Sequence, residues 1–277
     1  MNIENKEGCG EIMGGEVIPR YNYYMGYDKS PALSVDKVKE MAKSMLRVIG
    51  VYIGGLNYES SDRGEGNKAI SFTKEVIQGY LLIPSIKVAY IYVGRSDQDV
   101  SIKIPDQDPE AVSKGVTDAR EAERLAKALD VPDNSVIYLD AEGGNKHNEA
   151  VVAYVKSWVE TINNKTSYWA GIYCNYGSAT ASPAKQLYEA VNHEANMYVA
   201  RWYAKGGSCY DIFTGETYVT SKSNPAKWFD INPEDRVPGT GCIVYQYSGN
   251  VWINLQGVQT IVDQISSTVP DPNVKQF

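Results

Sequence analysis

The chain has 277 residues, with 27 Lys and Arg against 34 Asp and Glu, a formal charge of −7 and a pI near 5.0. With no cluster of basic residues, that balance argues against a nucleic-acid partner, because phosphate binding leans on gathered Lys and Arg. The length suits one large α/β barrel or two small domains, and no Pro/Ser/Gly-rich linker divides it, which favours one.

In chain order, residues 1–23 read as a polar leader. Its start, Met-Asn-Ile-Glu-Asn-Lys-Glu-Gly-Cys, lacks the basic opening and apolar run of a signal peptide. No stretch approaches the ~20 apolar residues that span a bilayer. The expectation is a protein that begins soluble and cytoplasmic, any export to the cell wall using a route other than a signal peptide. A first strand, Tyr24–Asp28, is followed by a helix over Val35–Met45, with Ser34 as N-cap and Val35, Val38, Met41, Ala42 and Met45 on one face. A second strand, Ile49–Ile53, leads into a polar loop. Within it, Gly64-Glu-Gly66-Asn-Lys-Ala69 matches a GxGxxA dinucleotide pattern, but the loop separates it from the strand and removes the required strand–turn–helix setting.

Helix over Ser71–Gln78, strand over Lys87–Val93 and helix over Pro109–Leu129 come next. In the last of these Val112, Val116, Ala119, Ala122, Leu125, Ala126 and Leu129 keep a helical period behind a first-turn proline. Strand Val136–Asp140, helix Glu149–Ile162, strand Ala170–Cys174, helix Pro183–Ala195 and strand Met197–Trp202 continue the alternation. Tyr203–Pro238, rich in Gly, Ser, Asn and Thr, reads as a long loop or small hairpin. Strands Ile243–Tyr247 and Thr260–Gln264 complete the count, and 270–277 is a C-terminal tail. Near-continuous apolar strands alternating with amphipathic helices indicate a parallel sheet covered on both sides. Eight of them predict an α/β fold with a single (β/α)8 TIM-like barrel over residues 24–269, irregular between strands six and seven.

In such barrels chemistry sits at the C-terminal ends of the strands, where Asp28, Asp140, Glu142 and Asp263 fall, with Arg201, Trp202, Gln246 and Tyr247 nearby. Asp and Glu are poor strand residues, so the Asp140/Glu142 pair closing an apolar strand asks for a reason. Positions two apart share a face, with Cα atoms roughly 6–7 Å apart at ~3.3 Å per residue. That spacing suits acid/base chemistry on a glycosidic bond. A helix-capping role for one carboxylate is the competing reading.

Two histidines, His147 and His193, read as ordinary surface residues, and four spread cysteines without CxxC give no zinc arithmetic. Free, mostly buried thiols are the default, with a Cys209–Cys242 disulfide as the alternative. No GxSxG or HExxH occurs. The 21 tyrosines suit either a core or a sugar-binding cleft.

The order of short motifs carries a family resemblance. Met-Gly-Tyr-Asp-Lys around Asp28, Gly-Val-Tyr-Ile-Gly-Gly at 50–55, Val-Ala-Tyr-Ile-Tyr-Val-Gly at 88–94, the Asp140/Glu142 pair, Ala-Gly-Ile-Tyr at 170–173, Ala-Arg-Trp at 200–202 and Tyr-Gln-Tyr-Ser at 245–248 resemble the glycoside-hydrolase-like barrels of unknown function. These are relatives of the family 25 muramidases. The resemblance runs from about Met25 to Ser267. It implies hydrolysis of β-1,4 bonds in peptidoglycan or a related N-acetylated glycan, with Glu142 as general acid and Asp140 kept ionised beside it. Asp28 and Asp263 would complete the catalytic set. Tyr27, Tyr173, Asn175, Arg201, Trp202, Gln246 and Tyr247 would bind substrate, filling of the barrel core being the competing role for the aromatics. It implies a polysaccharide partner, no cofactor, no metal and a monomer. Two departures stand out: Lys-Ser-Pro-Ala follows the first strand where muramidases have a Ser-x-x-Gln-Gly-like turn, and Val-Asp-Gln stands where they commonly have Val-Asp-x-Asn. The alternatives are a non-catalytic wall-binding module and a lysin or toxin delivered by a phage or injection system.

Overall fold

A computed structural model describes residues 11–13, 16–18, 24–28, 32–43, 46–56, 58, 72–95, 103–142, 146–205, 208–211, 217–219, 237–255 and 258–277. A small antiparallel ribbon, β1 (Glu11–Met13) and β2 (Glu16–Ile18), forms a sheet of its own. The main succession is β3 (Tyr24–Asp28), α1 (Val35–Met41), β4 (Val48–Gly55), α2 (Lys74–Leu81), β5 (Lys87–Val93), α3 (Ala111–Ala128), β6 (Val136–Asp140), α4 (Glu149–Lys165), β7 (Trp169–Asn175), α5 (Pro183–Ala190) and β8 (Asn196–Lys205). Then come β9 (Ser208–Asp211), β10 (Thr217–Val219), β11 (Cys242–Leu255) and β12 (Val258–Ser267). The Gly64–Ala69 motif lies outside the described residues, as does most of the leader.

Local chemistry sets the helix ends. Ser34, Thr73, Asn148 and Ser182 each accept a backbone N–H in the first turn of the helix they precede. The helix expected to run to Ala195 stops at Ala190, because Asn192 and His193 take up left-handed backbone at φ 52° and 65°.

Strands β3 to β8 are successive parallel neighbours, and β11 joins β8 in parallel, so seven parallel strands share one curled sheet among the described residues. The strand expected as the eighth parallel member of the barrel, Thr260–Gln264, lies within β12 and is not parallel. Strand β12 runs antiparallel, pairing with β11 on one side and β3 on the other. The connection from Leu255 to Val258 is far too short for the crossover of a dozen or more residues that a parallel pair needs. Between β8 and β11, where an irregularity was expected, β9 pairs parallel to β11 and antiparallel to β10.

Alternation along the strands separates two cores. Outward-facing residues such as Tyr90, Tyr92, Ile137, Leu139 and Ile172 pack with Trp158, Tyr154 and Tyr80 of the helices. Inward-facing ones, among them Val48, Ile91, Val136, Tyr138, Tyr173, Tyr198, Val244 and Ile265, fill the space the sheet curls around. Fully burying an apolar side chain is worth about 1.5–3 kcal/mol, so both layers hold the sheet in its curl. The inner tyrosines fit because glycines face them: a Cβ on Gly171 would collide with the Tyr138 ring.

One helix face departs from expectation. Val112 and Val116 of α3 are exposed, while Ala111, Gly115, Asp118, Ala119, Ala122 and Ala126 face inward. Helix α4 comes so close that a Cβ on Gly115 would overlap the Ser157 hydroxyl, which rotates the helix toward its smallest residues. Asp118 is buried by ion pairing with Arg95 at 2.8 Å and by accepting the Tyr154 hydroxyl at 2.9 Å.

The C-terminal tail packs under the sheet. The Tyr138 hydroxyl donates to the Pro272 carbonyl at 2.7 Å, and Asn196 exchanges hydrogen bonds of 3.0 Å with the Val274 carbonyl and the Gln276 amide. Val136 N–H reaches the Asn273 carbonyl at 3.2 Å. These contacts lie at the N-terminal ends of β6 and β8. The strand C-termini, with the acidic residues, are at the other end.

Candidate active site

Asp28 closes β3 on its inner face and is fully buried. Room for it comes from Gly50 on β4, where any added Cβ would collide with the Asp28 Cβ. The Tyr198 hydroxyl on β8 donates to Asp28 Oδ2, and Gln246 Nε2 on β11 approaches Oδ1 and Oδ2 at 3.5 and 3.4 Å. Gln246 Oε1 in turn accepts from the Tyr173 hydroxyl on β7 at 2.9 Å. The Tyr173 and Tyr198 rings are 4.4 Å apart, and Tyr198 meets Tyr138 edge-on at 5.8 Å. Four strands distant in sequence thus contribute one buried polar network.

Beside it stands the carboxylate pair. Asp140 is in register with Tyr173, and the strand ends there. Glu142, two residues on, donates its backbone N–H to Asp140 Oδ1 at 3.3 Å, and both side chains are half-buried. Alternation puts Asp140 on the inner side with Val136 and Tyr138. Burial, and then the charge of Glu142, push the Asp140 carboxyl well above the usual range. Burial thus works against the ionised Asp140 that the resemblance implies, and the two carboxyls titrate as a pair. Burial also raises the Tyr173 hydroxyl, with the charges of Glu142 and Asp28 adding to it.

The other expected residues divide. Asp263 lies directly opposite Asp28 in the β12–β3 register, so the backbone brings the two together. Trp202 and Tyr247 belong to β8 and β11 and are placed by their backbone alone. Asn175 is half-buried at the end of β7, in register with inward-facing Ala200. Two assignments are corrected. Tyr27 precedes Asp28 and so takes the opposite face, where it packs among Leu33, Val38 and Tyr80 in the outer core with its hydroxyl fully buried. Arg201 alternates with inward-facing Ala200 and lies exposed over the Tyr176 ring at 4.7 Å, on the helix side of the sheet.

Two residues were missed. Tyr198 lies inside the predicted strand, but that its hydroxyl meets a carboxylate 170 positions earlier has no local signature. Tyr52, inward on β4 beyond Gly50, carries the inner lining toward the strand ends and stacks on Tyr58 with centroids 6.4 Å apart. His147 is also corrected: it is buried, its backbone clasped by the Gln186 amide at 2.8 and 2.9 Å. Cys242 is a free thiol. Cys209 aligns with Trp252, ten residues along β11 from Cys242 and roughly 30 Å away at ~3.3 Å per residue, far beyond disulfide reach. Among the described residues no cluster of His, Cys, Asp and Glu could hold a metal ion, and no helix is long and apolar enough to cross a membrane.

Comparison with known proteins places the fold. Residues 21–266 match the family described as Rv2525c-like, glycoside hydrolase-like domain. Similar solved structures include an uncharacterized protein of B. stearothermophilus, 18% identical with a TM-score of 0.53 over 88% of this chain and 95% of that one. The Mycobacterium tuberculosis Tat-secreted protein Rv2525c, in complex with HEPES, is 15% identical with a TM-score of 0.50 over 92% and 98%. The Clostridium perfringens spore cortex lytic enzyme SleM is 11% identical with a TM-score of 0.50 over 89% and 67%. At these identities the likeness is one of fold. No curated protein sequence matches the chain.

Proposed function

The chain belongs to the Rv2525c-like, glycoside hydrolase-like domain family, and from that premise we propose that it hydrolyses β-1,4 bonds in peptidoglycan or a related N-acetylated glycan. The observation that carries the reading is the Asp140/Glu142 pair, half-buried at the end of β6 and flanked by the Tyr173–Gln246–Asp28 network.

One proton on two carboxylates suits this chemistry. Burial and mutual repulsion keep a proton within the pair, and Glu142, the outer carboxyl, delivers it as general acid to the glycosidic oxygen. Asp140 is then left as the negative charge beside the sugar as positive charge develops, or orients a 2-acetamido group that attacks its own anomeric carbon. The buried position of Asp28 gives it a supporting role through its partners, and Asp263 joins it from β12. Tyr52, Asn175, Trp202 and Tyr247 are the proposed sugar contacts. The Tat-secreted relative and the cortex-lytic one support action at a cell wall, outside the cytoplasm.

Glu142→Gln removes the transferable proton without changing shape, so release of reducing ends from peptidoglycan or chitin oligomers should fall by ~10²–10⁴-fold with the fold intact. A wild type that binds these polymers and releases no reducing ends would leave the wall-binding module as the function.

A further inference from the structure

The hydrogen bonds around Asp28 have a direction, and it runs to Tyr173. In every bond shown, Asp28 accepts: from the Tyr198 hydroxyl at Oδ2 and from Gln246 Nε2 at both oxygens. A glutamine side chain has its donors at one end and its acceptor at the other. With the NH2 group turned to Asp28, Oε1 must face Tyr173, whose hydroxyl donates to it at 2.9 Å. The reverse orientation would press an amide oxygen against two carboxylate oxygens. A phenol has one proton, and that of Tyr173 is committed to Gln246, so its remaining capacity is as an acceptor.

Tyr173 sits where that polarity matters. It is an inward residue in register with Asp140, within the field of Glu142, and retains 3% exposure. We propose that Tyr173 is a specificity-determining hydrogen-bond acceptor at the floor of the site, held in that polarity by Asp28 through Gln246, and that it selects a ligand presenting an N–H donor such as the acetamido group of an N-acetylated sugar. This rests on the glycan reading above. Asp28 is then a positioning residue that sets which way the chain of hydrogen bonds points.

The test is binding of chitotetraose by calorimetry on a Glu142→Gln background, where no turnover intrudes. Tyr173→Phe keeps the ring and removes the acceptor, and should weaken binding by about 3- to 10-fold, the worth of one hydrogen bond. Asp28→Asn gives position 28 a donor, frees Gln246 to turn round, and should weaken binding comparably although residue 28 is buried. Adding Gln246→Glu to Asp28→Asn restores the direction: the amide introduced at position 28 donates to the carboxylate introduced at position 246, which still accepts from Tyr173. The double variant should therefore recover most of the affinity. Tyr173→Phe binding as tightly as its parent overturns the proposal, as does a folded double variant no tighter than Asp28→Asn. Should the double variant fail to fold, Tyr173→Phe decides alone. A parent that binds nothing overturns the proposal together with the glycan reading; a wild type that binds and does not hydrolyse overturns the hydrolase and leaves the acceptor standing.

Discussion

Asp140 shows what residue-level chemistry does to the stability of the whole chain. Its carboxyl is raised by burial and by Glu142, so the native state holds a proton that the unfolded chain, with an aspartate near 3.9, has released. Between that value and the raised one, unfolding releases the proton, and stability falls as pH rises through the window. Below it both states are protonated and nothing is lost. Asp140→Asn removes the effect, so thermal unfolding at pH 4 and pH 7 should show the variant gaining on wild type at pH 7 but not at pH 4. Equal differences at the two pH values would mean that Asp140 carries no raised pKa. The acids themselves were legible in the sequence because carboxylates that end apolar strands go against strand preference. Their charge states were not, since burial and a neighbour decide them. Tyr27 and Arg201 were misassigned for a simpler reason: each is one residue from an inward position, and one residue turns a side chain to the other face.

Helix α3 carries the lesson for elements. Its period was correct, yet the face was displaced toward Ala111, Gly115 and Asp118, because close packing against α4 and an ion pair with Arg95 outweigh the apolar preference of Val112 and Val116. A charged residue on the inner face is invisible to hydrophobic patterning until its partner, 23 positions away, is known. Removing one partner of such a pair strands the other, so Asp118→Ala should cost about 3 kcal/mol in urea unfolding. The exposed Val116→Ser should stay within about 0.5 kcal/mol of wild type. A loss at Asp118 as small as that at Val116 would show the pair to be dispensable. Strand β11 failed differently. The expected strand ended at Tyr247, just before Ser248, Gly249 and Asn250, whereas the ladder shifts register at Gln246/Ser248 and again before Val251 and then runs on to Leu255. A bulge and a turn draw on the same small residues, and only the partner strand tells them apart.

At the scale of the molecule, the order of parallel strands followed from the alternation of elements, but the closure did not. A hairpin at the end of the chain replaces the last crossover, so β12, antiparallel, stands between β11 and β3. The pairing of Asp263 with Asp28 and of Ser267 with Tyr24 has a consequence in time. Contacts this distant in sequence must bear loop-closure entropy before they return anything, which makes them late in folding. Refolding from urea should be dominated by a phase of milliseconds to seconds or slower, and a chain ending at Leu255 should aggregate, with β3 and β11 offering open edges. Submillisecond refolding, or a monomeric, protease-resistant truncation, would show that β12 is not needed for closure. On a ribosome moving at ~5–20 residues per second, the stretch from Asp28 to Asp263 takes roughly 10–50 s to emerge. For all of that interval Asp28 is without the last of the strands that surround it, and the nascent chain, however much of its sheet has formed, carries the proposed site with one wall still missing.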